Sequence, residues 1–383
     1  ALSRAAAAAP ADVWDKRPAA QLSEWDVARA LLPGEALKVV GPVSSVAMTS
    51  DRGVIVLGGP GGGVVFRRDA AGRYAAAEPA IPDAVRSVAV TPDGRVIVMG
   101  DQVFRDGRRH ALPLPEGFDG EKITAVTITP DGRTLVIAGL FGQHVLGWDD
   151  AQGYIFTQSL YVKHVVSASA VTSDGRTIVL GGWSGPSVFR DGRQLALSGP
   201  EFLSARTGAV ALTPDGKTLV VGLRPGGAAV WVWNEAAQAY LAGPELSSID
   251  AIRALAVTPD GRTIIAGAGP HIRCYARDEG ARRYQNVAGV LHDHDVASFA
   301  VADDGRTLAV GAKDGVKVYS FKPFIVRDAK TAVVLEDGMP FTFDDTEPAH
   351  PWSTHAAWSG PTVLQLRRPD DWYAVWRFFD DGV

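Results

Sequence analysis

The sequence predicts an all-β fold, a seven-bladed β-propeller of four-stranded antiparallel blades, and three observations carry that prediction. A tight-turn motif, Thr-Pro-Asp-Gly-Arg or a close variant, recurs seven times, with its aspartate at Asp51, Asp93, Asp131, Asp174, Asp215, Asp260 and Asp304. Successive spacings are 42, 38, 43, 41, 45 and 44 residues, the period of a four-stranded blade rather than of a helical or leucine-rich solenoid. The runs flanking the turns are almost continuous in Ala, Val, Ile and Leu, as strands covered on both faces require.

The elements follow in chain order. Residues 1–34 read as an N-terminal arm. Within it Ser23, with Asp26 three residues on, predicts the start of a short helix reaching Leu32 and stopped by Pro33-Gly34. Glu35 to Val40 is strand-like and is expected to supply the outermost strand of the seventh blade, closing the ring and removing its sheet edges. The propeller then occupies residues 35–321. In each repeat an inner strand enters the Pro-Asp-Gly turn, whose Pro presets φ and whose Gly closes it, and a second strand returns. Third strands are expected at Gly63 to Arg67, Gln102 to Arg105, His144 to Trp148, Ser187 to Arg190, Ala229 to Trp233, His271 to Ala276 and Val316 to Phe321. Outer strands follow either an Asp-Gly turn, as at Asp106-Gly107 and Asp191-Gly192, or a longer loop ending at Tyr74, Tyr154, Tyr240 or Tyr284.

Residues 322–383 do not repeat. This C-terminal extension holds ten acids against six bases and four of the ten tryptophans, Trp352, Trp358, Trp372 and Trp376. So many rings in so short a piece require burial, either on the propeller's side or against a partner subunit, where Trp is favoured.

Composition narrows the function. A net charge of −5 gives no basic field for nucleic acid. No stretch approaches 18 uninterrupted apolar residues, the length of a helical membrane span. The single cysteine, Cys274, permits no intramolecular disulfide and reads as a packing residue. The opening ALSRAAAAAP, Ala-rich and free of acids, reads either as the remnant of a cleaved targeting segment, placing the protein in an organelle or extracytoplasmic space, or as an Ala-rich arm of a cytoplasmic protein.

The pattern VxxVAVTPDGRTLVVG resembles the WD40 and YVTN families of seven-bladed propellers over residues 35–321. Departures from WD40 are specific. Only His292 lies twelve residues before a turn aspartate as that family's Gly-His pair would, with Leu291 in place of the glycine, and Trp-Asp occurs once, at Trp148-Asp149. Asp314 and Tyr319 fall near the family's loop Asp and strand Trp, while Val310 replaces the expected Ser or Thr.

Candidate sites lie off the repeat motif. Inter-blade loops and second-to-third-strand turns share one propeller face, and there we place Lys122, His164, Arg206, Arg224, His292, His294 and Asp295 as channel-mouth candidates for an anionic ligand or an acidic loop. His292-Asp293-His294-Asp295 carries metal-capable groups, but adjacent residues do not converge on one ion, and no metal or cofactor is expected. The turn aspartates lack calcium's ligand spacing. Gly182-Trp183-Ser184-Gly185 is an interstrand turn rather than a nucleophile elbow, and the glycines between Gly58 and Gly63 precede no helix that would cradle phosphate. The leading expectation is therefore a non-enzymatic scaffold or protein-binding subunit of a multiprotein assembly. The resemblance also implies a YVTN-like hydrolase or lactonase at the channel mouth as the alternative. A carbohydrate-binding lectin would need aromatic pairs in every blade.

Overall fold

The computed structural model describes residues 27–39, 41–115, 123–140, 142–197, 205–246, 251–278, 283–302, 307–328, 331–334, 363–368 and 371–376. They form seven four-stranded antiparallel blades in a ring. From inner to outer strand, blade 1 comprises Ser45–Met48, Val54–Gly59, Gly62–Arg68 and Tyr74–Ile81, and blade 2 comprises Val88–Val90, Val96–Met99, Gln102–Arg105 and Arg108–His110. Blade 3 comprises Ile123–Ile128, Thr134–Gly139, Gln143–Asp149 and Gly153–Ser159, and blade 4 Val166–Val171, Thr177–Gly182, Gly185–Arg190 and Arg193–Leu195. Blade 5 comprises Arg206–Leu212, Thr218–Arg224, Ala228–Asn234 and Ala239–Ala242, and blade 6 Ala254–Val257, Thr263–Ala268, His271–Asp278 and Arg283–Leu291. A short strand, Glu245–Leu246, runs parallel along blade 6's outer strand.

Blade 7 takes three strands from the last repeat, Ser298–Val301, Thr307–Ala312 and Gly315–Asp328, and its outermost from the N-terminal side, Val27–Leu37. The expected closure is present, but the strand is longer and earlier than Glu35 to Val40. Residues 27–32, expected to be helical, are extended and pair from Val27↔Ile325 to Leu32↔Ser320; the cap residues Ser23 to Asp26 lie outside the described residues. The reason is the open edge of Gly315–Asp328, whose unpaired backbone groups offer a ladder that a short isolated helix cannot match. Pro33-Gly34 does not stop the element because the register shifts between Pro33 and Ala36, and an edge-strand bulge tolerates proline. The third strand of blade 7 continues through residue 321 to Asp328, where it also pairs with Thr331–Val334.

Apolar side chains on both faces of the second strands, buried throughout in Val54–Gly59, Thr177–Gly182 and Thr307–Ala312, pack between blades. Seven buried clusters result, one for each joint. Val56, Val65, Val88 and Ile97 join blades 1 and 2; Val98, Val103, Ile137 and Leu146 join 2 and 3; Val136, Val166 and Leu180 join 3 and 4. Val188, Leu219 and Trp231 join 4 and 5, Val220, Ile264 and Tyr284 join 5 and 6, and Ile265, Cys274, Leu308 and Tyr319 join 6 and 7. Leu37, Val46, Ile55 and Val318 close the ring between 7 and 1. Each fully buried aliphatic side chain contributes about 1.5–3 kcal/mol, so stability is distributed round the ring.

Candidate functional site

The antiparallel order puts the upper ends of the inner strands, the second-to-third-strand turns and the inter-blade connections on one face. Three arginines meet there at the channel mouth. Arg206 opens blade 5's inner strand and pairs in register with Arg224, the last residue of its second strand. Arg253 immediately precedes blade 6's inner strand. Together with Ser167, Thr207 and Gly208 they line a cavity of about 260 Å³.

Local backbone geometry builds this cluster. The inner strands of blades 3, 4 and 5 each carry a bulge at the same point, occupied by Thr124, Ser167 and Gly208. A bulge re-aims its side chain. The Thr124 hydroxyl donates to the Val166 carbonyl of blade 4, and the Ser167 hydroxyl donates to the Thr207 carbonyl of blade 5 at 3.3 Å. Elsewhere Val88 N–H donates to Ser45, Val126 N–H to Ser87 and Val46 N–H to Ser298. Hydroxyls thus stitch five joints of the ring. At the joint of blades 5 and 6 the bulge residue is glycine, and an added Cβ on Gly208 would collide with the Ile252 carbonyl and crowd Arg224 Nε at 3.2 Å. The stitch gives way to a guanidinium.

The cluster sets like charges against one another. Burial, then the charges of Arg253 and Arg206, lowers the pKa of Arg224. Its Nε is buried without a hydrogen-bond partner, as is the Thr207 hydroxyl on a residue with no exposed surface. Arg253 approaches Asp295 at 3.8 Å; among the described residues no carboxylate pairs with Arg206 or Arg224. Arg206 instead lies over the ring of Trp183 at 5.2 Å.

Three large apolar side chains are exposed on the same face. Trp183 is 59% exposed in the blade 4 second-to-third turn, Tyr161 is 76% exposed in the connection from blade 3 to blade 4, and Leu140 is 49% exposed at the blade 3 turn.

The structure sorts the other expected residues. His164 is half-buried beside Gly182, a ring nitrogen 3.3 Å from the Val165 carbonyl. His292 is buried against Tyr319, ring centroids 6.0 Å apart, and burial lowers its pKa despite the opposing hydrogen bond with His294. His294 turns to Asp314 at 3.8 Å and Asp295 to Arg253, so the histidine-aspartate run disperses. Among the described residues no three metal-capable side chains gather. Lys122, Trp352 and Trp358 lie outside the described residues. Trp372 and Trp376 are on Asp371–Trp376, which pairs with Val363–Arg368 and runs close to blade 6's outer strand. Arg253, Tyr161 and Trp183 went unread as site residues. Their signal is positional: Arg253 stands at the repeat position of Thr124 and Ser167, and Trp183 interrupts a turn that is Gly-rich elsewhere.

No protein-family model matches the chain, and no curated protein sequence matches it.

Proposed function

We propose that this chain is a non-enzymatic propeller platform that holds a partner protein within a larger assembly, of WD40 or YVTN type by its turn motif and by the packing of His292 on Tyr319. The observation that carries the reading is the exposed crown of Leu140, Tyr161 and Trp183 on the channel-mouth face. The partner it fits is a segment of apolar side chains flanked by acids, because Trp183 is bordered by Arg206 and Tyr161 by Lys163 and His164. Trp and Tyr supply large rigid contact area, the usual anchors of an interface. Among the described residues the exposed rings concentrate on blades 3 and 4 rather than recurring in each blade as a lectin would require. Arginine stays protonated and binds or polarises an anion but does not withdraw a proton, so the mouth's dominant groups suit binding rather than hydrolysis. Native electrophoresis and cross-linking of full-length protein test this. The wild type is expected in a large complex, and a Tyr161→Ala/Trp183→Ala double variant is expected to migrate alone with unchanged Tm. A wild type that migrates alone, or that turns over esters or lactones at this mouth, overturns the proposal.

A further inference from the structure

The arginine-lined cavity carries an inference that needs no partner protein. We propose that it is a binding site for a small oxyanion, a molecule bearing a phosphate or carboxylate group, held by Arg206, Arg224 and Arg253 with Thr207 as a hydroxyl donor. Three arginines line one cavity, and their like charges repel. Structural packing does not account for Arg224 or Thr207: Arg224 Nε is buried without a partner, and the Thr207 hydroxyl is fully buried without one, each an uncompensated desolvation. An oxyanion supplies what both lack. It neutralises the cluster, accepts from the planar arginine fork and leaves an oxygen for the hydroxyl.

The backbone is specialised for the same purpose. Gly208 stands where the other two bulged inner strands carry Thr124 and Ser167, forgoing an inter-blade hydrogen bond and clearing space for Arg224. Blades 5 and 6 therefore give up a ring contact at the one joint where the arginines converge. The cavity of about 260 Å³ is roomier than one water needs and suits a compact anion, and Arg253 lines it while standing 3.8 Å from Asp295.

Calorimetric titration of the full-length chain with inorganic phosphate and, separately, with succinate tests the proposal, with sodium chloride holding ionic strength constant. At least one anion is expected to bind saturably. Arg224→Gln and Arg253→Gln are each expected to weaken binding by roughly tenfold or more, the worth of a charge-assisted hydrogen bond. Arg224→Gln relieves the mutual repulsion of the three arginines, so its Tm without anion is expected to equal or exceed wild type while its anion-dependent rise in Tm disappears. Binding of phosphate alone or of succinate alone supports the site and identifies its source chemistry. Should Arg224→Gln fail to fold, the half-exposed Arg253→Gln carries the test. Neither anion binding saturably, or binding unchanged in the folded variants, overturns the proposal.

Discussion

At the scale of residues, the repeated turn is a small hydrogen-bonded circuit. Thr91 donates its hydroxyl to Asp93 at 2.6 Å, Asp93 accepts Arg95 N–H at 3.0 Å, and Thr91 in turn accepts Val96 N–H at 3.0 Å. The same circuit recurs at Thr129, Thr172, Thr213 and Thr258. Its glycine does more than adopt positive φ. Gly132, Gly175, Gly216 and Gly261 each face the preceding blade's turn threonine, so successive turns interlock. Replacing Thr213 by Val leaves the buried Thr218 N–H without its acceptor, and we expect a loss of about 1–3 kcal/mol by thermal denaturation. The circuit also sets the acid limit. The hydroxyl of Thr49 holds Asp51 low; partial burial raises Asp93, Asp131, Asp174 and Asp215, but their turn hydrogen bonds outweigh it and leave each lowered. Carboxylates depressed by folding add stability that is complete above their unfolded pKa and fades as pH falls through the folded values. Stability is therefore expected to drop below about pH 4, and a Thr91→Val/Thr172→Val variant is expected to show a shallower acid dependence in pH-resolved denaturation.

At the scale of elements, blades with short and long outer connections stabilise their lower face differently. Blades 1, 3, 5 and 6 use an outer-strand tyrosine: Tyr154 donates to the Gly132 carbonyl at 2.7 Å and Tyr284 to Gly261 at 2.6 Å, while burial raises Tyr154 and Tyr240 to about 12. Blades 2 and 4 instead close their Asp-Gly turns with the bidentate pairs Arg95 to Asp106 and Arg176 to Asp191. From those two blades an arginine reaches the next: Arg105 lies over Trp148 at 4.2 Å and Arg190 over Trp233 at 4.1 Å. Arg105→Lys keeps the charge but loses the flat stack and the bond to the Gly132 carbonyl, an expected cost of about 1 kcal/mol measurable by denaturant titration. Turns and third strands were legible because turn chemistry and β-branched runs are local signals; Gln102–Arg105 falls where the residues place it. The closing strand was legible as an element but not in extent, because its pairing is dictated by an edge almost the whole chain away. At the mouth, Arg206 and Arg224 were readable from loop position, whereas Arg253 becomes legible only when the repeats are aligned and it falls at the position of Thr124 and Ser167.

At the scale of the whole molecule, the ring is held by seven similar interfaces and one splice, between the strand before the first repeat and the third strand of the last. Leu37 is buried in the cluster joining blades 7 and 1, and an added Cβ on Gly315, at φ +128°, would collide with the Leu37 carbonyl. The splice therefore depends on close backbone approach as well as on apolar burial. Deleting residues 1–38 uncovers the edge of Gly315–Asp328, and the truncated chain is expected to self-associate in size-exclusion chromatography and to lose several kcal/mol, roughly a large share of a typical folding free energy, in calorimetry. A monodisperse truncated chain with unchanged Tm would show that the splice contributes nothing.

That splice also imposes an order on biosynthesis. Val27–Leu37 is made before any of the seven repeats and its partner Gly315–Asp328 only in the seventh, so the nascent chain carries an unmatched strand while blades 1 to 6 are made behind it. Blade-to-blade contacts form progressively from the N-terminal side, but the circle becomes continuous only after translation has passed the final repeat. Until then both flanks of the growing arc are sticky, and a cell making this protein must shelter them until the seventh repeat is made.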